Sequence, residues 1–248
     1  MEQKFKLPTE TVDLPSKGIL YPKDSPLASG KIEMKYMTAK EEDILTNANY
    51  IKQGVVIDKL LQSLIVSDIN YNDILVGDKN AMMVAARILA YGKDYEFEYD
   101  GVKQTVDLSN IEPKPLSQEL EKATENEFTF TLPSTGNVIT FRLLTHGEDV
   151  KIDQEVKGLQ KINKDSVSEV TVRLAHLVTS INGNRDQKDV RDFVNNYFLA
   201  RDAREFRKYY SSLNPDLDLK TTVTNSTGDE EDVDLPIGLT FFWPDARI

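Results

Sequence analysis

Leu14-Pro15-Ser16-Lys17-Gly18 returns later in the chain as Leu132-Pro133-Ser134-Thr135-Gly136, and this pair decides how the sequence is read. Three more pairs follow in the same order. Thr38-Ala39-Lys40-Glu41-Glu42-Asp43-Ile44 matches Thr145-His146-Gly147-Glu148-Asp149-Val150-Lys151. Leu64-Ile65-Val66-Ser67-Asp68-Ile69-Asn70 matches Leu177-Val178-Thr179-Ser180-Ile181-Asn182 with one residue deleted, and Val106-Asp107-Leu108 matches Val233-Asp234-Leu235. One such match carries little, but four in one order are hard to reach by chance, and repeats are the first thing to seek in a chain. The alternative is two unrelated units that share common turn and cap signals. The duplicated reading predicts an N-terminal unit over 1–110, a linker over 111–126 rich in Pro and polar residues, and a C-terminal unit over 127–248.

Each unit reads as α+β. Phe128 to Leu132 and Ile139 to Leu143 alternate apolar and polar around the turn residues Ser134-Thr135-Gly136-Asn137, which predicts a hairpin. A capping box then opens a helix, Thr38 with Glu41 in one unit and Thr145 with Glu148 in the other. Apolar residues at helical spacing follow: Ile57, Leu60, Leu61, Leu64 and Ile65, and then Val167, Val170, Leu174, Leu177, Val178 and Ile181. A further helix carries Met82, Met83, Ala86 and Leu89 and ends on a left-handed cap at Gly92. Its counterpart is expected to be Val190, Phe193, Val194 and Tyr197, with a break near Leu199 and a fresh helix capped at Asp202 and running to about Leu213. Both units close on a hairpin, one turning at Asp100-Gly101 and the other at Asn225 to Asp229.

Composition narrows function. The 248 residues are 40% hydrophobic and 29% charged, ordinary for a folded globular chain. No apolar run reaches the ~18–20 residues that a membrane helix needs, and the start of the chain lacks the apolar core of a signal peptide; no membrane partner and a cytoplasmic site of assembly are expected. A net charge of −11 argues against a nucleic-acid backbone as ligand. The densest basic cluster, Arg201, Arg204, Arg207 and Lys208, is interleaved with Asp202 and Glu205. There is no cysteine, so disulfides, thiol catalysis and thiolate zinc sites are excluded.

The succession of motifs resembles the baseplate hub protein family of T4-like bacteriophages over essentially the whole chain. The residues that carry the likeness are Leu14-Pro15-Ser16-Lys17-Gly18-Ile19-Leu20-Tyr21-Pro22, then Thr38-Ala39-Lys40-Glu41-Glu42, Tyr91-Gly92, Val106-Asp107-Leu108, and the closing Asp234-Leu235-Pro236-Ile237-Gly238-Leu239-Thr240-Phe241-Phe242-Trp243-Pro244. The resemblance implies a non-enzymatic structural or assembly protein of a contractile tail, in the virion baseplate. Its partners would be other hub proteins and the tape-measure protein, and no cofactor is implied. Many relatives carry Cys-x-x-Cys at the closing hairpin tips, a zinc-ribbon pattern. Here those tips hold Tyr99-Asp100-Gly101-Val102 and Asn225-Ser226-Thr227-Gly228, so a zinc role is withdrawn. A chaperone that assists hub assembly without entering the virion is one alternative; a nucleic-acid module with degenerate ribbon hairpins is another.

Single residues add little chemistry. His146, just past its cap, is expected to be exposed, and His176 to lie opposite the apolar stripe of its helix. No Ser, Cys or carboxylate stands at a spacing that would make either a triad member. Glu41-Glu42 and Glu148-Asp149 suit the positive ends of helices, and Asp229-Glu230-Glu231-Asp232 lacks the ligand spacing of a calcium loop. Lys17 precedes its glycine in the wrong order for a phosphate loop. Phe241-Phe242-Trp243-Pro244 is the candidate interaction segment. It reads either as a last strand filling the second core or as an exposed aromatic anchor for a neighbour.

Overall fold

The computed structural model describes residues 7–162 and 169–242. Its class is α+β, with short antiparallel sheets and nine α-helices among the described residues. β1 (Thr9–Asp13) pairs antiparallel with β2 (Lys31–Lys35). Three helices follow, α1 (Ala39–Leu45), α2 (Ala48–Gln53) and α3 (Val56–Leu64), and then α4 (Val76–Tyr91). A hairpin of β3 (Asp94–Tyr99) and β4 (Val102–Asp107) ends the first half. Asp100 and Gly101 both have positive φ, 49° and 76°, the backbone that a two-residue hairpin turn demands.

The expected linker contains α5 (Gln118–Glu121), whose Leu120 is fully buried. β5 (Phe128–Thr131) and β6 (Val138–Phe141) form the expected hairpin. Then come α6 (His146–Ile162) and α7 (Glu169–Leu177). Here the periodic reading fails: α7 stops at Leu177, and Val178–Ile181 is strand β7, paired with β6. Val178-Thr179-Ser180-Ile181 is rich in β-branched residues, buries alternate side chains and bonds across the sheet through Thr140 to Thr179 and Ser180. Such short apolar runs satisfy both periods, and pairing decides between them. Ile65 departs likewise, leaving α3 to bridge Met34 of β2. Val167 lies outside the described residues.

α8 (Gln187–Asn196) and α9 (Ala200–Leu213) precede the last hairpin, β8 (Lys220–Thr224) with β9 (Glu230–Asp234). Asp202 does not cap α9: Leu199 holds that position, and Asp202 is the third helical residue. Gly92 ends α4 with φ 86° and ψ 176°, a positive φ but not the left-handed helical pair, so the chain runs out straight into β3.

α4 is the axis of the packing. Ala81, Met82, Met83, Val84, Ala85, Ala86, Ile88 and Leu89 make it apolar on every side, and none of its residues is fully exposed. A helix of that composition needs neighbours all round. One contiguous apolar cluster runs from Leu14, Ile32 and Leu60 through Met82 to Phe141, Leu174 and Phe206. Residues of both halves therefore share a core. The halves are also stitched by backbone: Val76 N–H donates to Leu144 (3.2 Å), His146 N–H to Ile74 (2.7 Å) and Lys114 N–H to Asp216 (2.8 Å).

Candidate interaction surfaces and their buried anchors

The recurring Leu-Pro-Ser segments are held by carboxylates. Asp78, third residue of α4, accepts from Ser16 N–H (2.9 Å), the Ser16 hydroxyl (2.6 Å) and the Tyr21 hydroxyl (2.7 Å). Tyr21 in turn accepts from Leu75 N–H at 2.9 Å, which satisfies a free donor at the start of α4. Asp202, third residue of α9, accepts from Ser134 N–H (2.8 Å) and the Thr135 hydroxyl (3.2 Å). Both carboxylates are fully buried, and both sit at the positive ends of helices that have no side-chain cap. Burial, partly offset by hydrogen bonds from Ser16 and Tyr21, pushes the Asp78 carboxyl above its ordinary range. Within the first motif, Gly18 has φ 78°, and a Cβ there would stand 2.4 Å from the Ala28 carbonyl oxygen. Lys17 is exposed, while Leu14, Pro15 and Ser16 are buried, as is Leu132. Pro133 and Gly136 lie at the surface.

The capping boxes share a cation that sequence reasoning missed. Glu41 accepts from Thr38 N–H (3.0 Å) and from the Thr38 hydroxyl (2.6 Å), and pairs with Lys35 at 2.9 Å. Glu148 accepts from Thr145 N–H (3.0 Å) and pairs with Arg142 at 2.6 Å. The cation stands three residues before the threonine in both cases, a spacing visible in the sequence once the box is found. These groups serve to fix chain direction, and Arg142 also lines a cleft with His176, Arg185 and Arg191.

His146 is not exposed. It is 6% accessible: at the start of α6 it packs against the turn at Tyr71, whose ring meets it edge-on at 4.7 Å. Lys79 donates to Asp58 Oδ1 (2.5 Å) and to His146 Nδ1 (3.2 Å), while Tyr71 donates to Asp58 at 3.0 Å. The ammonium donor assigns Nδ1 as the acceptor of a neutral ring, with the Nε2 proton facing Asp58 at 3.6 Å. Burial and then the Lys79 charge lower the His146 pKa, against Asp58 and Asp149. A depressed histidine adds stability above its unfolded value of 6.5 and loses it as pH falls through the folded value. The urea midpoint of the intact chain should therefore drop between pH 7 and pH 5, and His146→Gln should flatten that slope; an unchanged slope would refute a buried neutral ring. His176 is partly covered and meets Glu155 at 2.7 Å, where Arg191 also pairs at 2.9 Å. That carboxylate ties α6 to α7 and α8, and the Arg191 and His176 contacts hold it down at about 2.

The candidate interaction segment lies elsewhere than expected. Leu239–Phe242 forms a 3-10 turn rather than a strand, and it packs on the first half rather than in the second core. Phe241 lies 4.8 Å from the Tyr95 ring, and its carbonyl accepts from Arg87 Nε at 3.0 Å. Both Phe241 and Phe242 are fully buried in the chain's own core, so neither offers an exposed anchor. Trp243 and Pro244 lie outside the described residues. The two closing hairpins also meet: the Gln104 side chain donates to the Thr224 carbonyl (2.7 Å) and accepts from Thr224 N–H (3.2 Å), and Asp100 accepts from Ser226. Among the described residues no group of three or more His, Asp or Glu converges as a metal site, and no helix is long and apolar enough to cross a membrane.

The buried carboxylates Asp78, Asp202 and Glu41 hold turns and helix ends. The family model of the T4 bacteriophage base plate protein matches residues 8–243. The chain belongs to that family and is a bacteriophage baseplate protein, with other baseplate proteins as its partners. No match was found among the curated proteins or among the solved structures.

Proposed function

We propose that this chain is a structural or assembly component of the central hub of a contractile-tail baseplate. It acts through protein–protein surfaces toward other hub proteins and the tape-measure protein, without catalysis. The observation that carries the reading is the unbroken order of non-catalytic motifs across the span matched by the family. The fused core supports it, since a part that transmits load at a tail tip needs halves that do not slide. Mass spectrometry of purified virions tests the role. A constant copy number per particle is expected. Absence from particles, with a null mutant that makes no baseplates, favours the chaperone reading, which the net charge of −11 supports by keeping a protein soluble around apolar clients.

We also propose that the two halves are copies of one unit joined near residues 111–126. The support is the repetition of contacts as well as letters: carboxylate to Leu-Pro-Ser turn, cation to capping box, third strand or bridge on the second strand, and closing hairpin. On this alignment α4 corresponds to α9, not to α8 as its apolar spacing suggested.

A further inference from the structure

The same place in the two halves has opposite chemistry. Val12 and Asp13 of β1 stand four and three residues before Ser16, and Phe130 and Thr131 of β5 stand likewise before Ser134. Beside each strand runs the helix whose third residue holds that serine, and a groove lies between strand and helix in both cases. Four residues of each helix line its groove at three, six, seven and ten places beyond the carboxylate, with Arg201 added on α9 and Leu89 on α4. On α9 they are Glu205, Lys208, Tyr209 and Ser212; on α4 they are Ala81, Val84, Ala85 and Ile88. The α9 groove is thus dressed for water. The α4 groove, of about 520 Å³, is floored by aliphatic side chains, with Ala85 and Ile88 only partly covered.

The wall of the α4 groove is an open strand edge. Tyr36 N–H donates to Pro8 and Leu14 N–H to Gly30. By alternation Glu10 and Val12 direct their backbone groups to β2, while Thr9, Thr11 and Asp13 turn theirs away from it. Among the described residues those outward groups have no hydrogen-bond partner. The charged residues that line the groove are both acidic: Glu10, which accepts from the Tyr36 hydroxyl at 3.1 Å, and Asp13, which stands 3.3 Å from Lys31 across the sheet.

We propose that this groove receives an extended segment of a partner protein, which adds as a strand to β1, lays alternate apolar side chains on α4, and presents Lys or Arg to Glu10 and Asp13. Unpaired edges pair readily, and strand addition draws affinity from the backbone and selectivity from alternate side chains. The acidic rim selects a basic segment over a second copy of this chain, which would bring its own net charge of −11 to the contact. The inference takes from the baseplate reading only that partners exist; a binding assay interrogates the groove, whereas virion composition interrogates the role.

The test uses the full chain and a fluorescent peptide of alternating lysine and valine, with an alternating glutamate and valine peptide as control, followed by anisotropy. The cationic peptide should bind and the anionic one should not. Thr11→Pro removes one outward N–H while sparing the pairing with β2 and should weaken binding about fivefold or more. Ala85→Arg fills the floor with a like charge and should weaken it at least about tenfold. No binding, equal binding of both peptides, or indifference to both variants overturns the proposal. So does a dimer of the free chain that Thr11→Pro splits, which assigns the groove to a second copy. Binding seen only after deletion of residues 1–6 overturns it too, by assigning the groove to the chain's own start.

Discussion

Gly77→Ala should lower the stability of the chain by about 3 kcal/mol, near the upper end of the cost of overpacking a tight contact. A Cβ built at Gly77 stands 1.7 Å from the Pro215 carbonyl oxygen and 2.8 Å from its carbon. The obstacle is backbone, so no rotamer change relieves it, and α4 would have to withdraw from the segment after α9. That withdrawal also strains Asn80, which donates to Asp216 at 3.0 Å, and the bridge of Pro113 to Leu217. The thermal midpoint of a chain this size should fall by about 6–12 °C. Gly158→Ala is the control: it sits in α6 with nothing near its Cβ position, and helix propensity makes alanine there neutral or stabilising by up to about 1 kcal/mol. If the two variants melt together, the close approach of the halves at Gly77 is wrong.

The second large effect falls on Asp78. Asp78→Ala strands the Ser16 N–H, the Ser16 hydroxyl and the Tyr21 hydroxyl in a buried site, and each unsatisfied donor costs about 1–3 kcal/mol. Rotation of the hydroxyls recovers part of this, leaving an expected loss of about 3 kcal/mol or more. Asp78→Asn keeps an acceptor for Ser16 N–H and should cost less. Asp202→Ala, which frees two donors instead of three, should also cost less. Denaturant unfolding of the full chain gives the order directly. Because burial raises the Asp78 pKa in the folded state, the native protein favours the protonated form. Its contribution is greatest at low pH, below the ordinary aspartate value, and diminishes as pH rises through the folded value. An Asp78→Asn chain should lack that component.

Much of the fold was legible because its signals are local. Asp100-Gly101 needs only its own backbone to turn, and Thr145 with Glu148 needs only the first turn of its helix. The run Val178–Ile181 was misread because Val178, Thr179 and Ile181 fit either period, and only the presence of β6 at hydrogen-bonding distance selects the strand. Asp202 looked like a cap because a carboxylate early in a helix suits that position; its partner, Ser134, is 68 residues away. His146 looked exposed because nothing near it in sequence shows that Tyr71 and Lys79 close over it.

The sequence by itself determined the α+β class, the paired Leu-Pro-Ser turns, the paired capping boxes, the closing hairpins and, through motif order, the baseplate family. All but the family rest on residues within a few positions of one another, where chain geometry leaves little choice, and the family rests on the order of those local motifs along the chain. Only the tertiary structure decided that both halves share one core, that Phe241 is buried against Arg87 and Tyr95 and Phe242 against Phe241 rather than displayed, and that the groove beside α4 is apolar and open. Burial and exposure belong to which surfaces meet, and periodicity marks a face as apolar without naming what covers it.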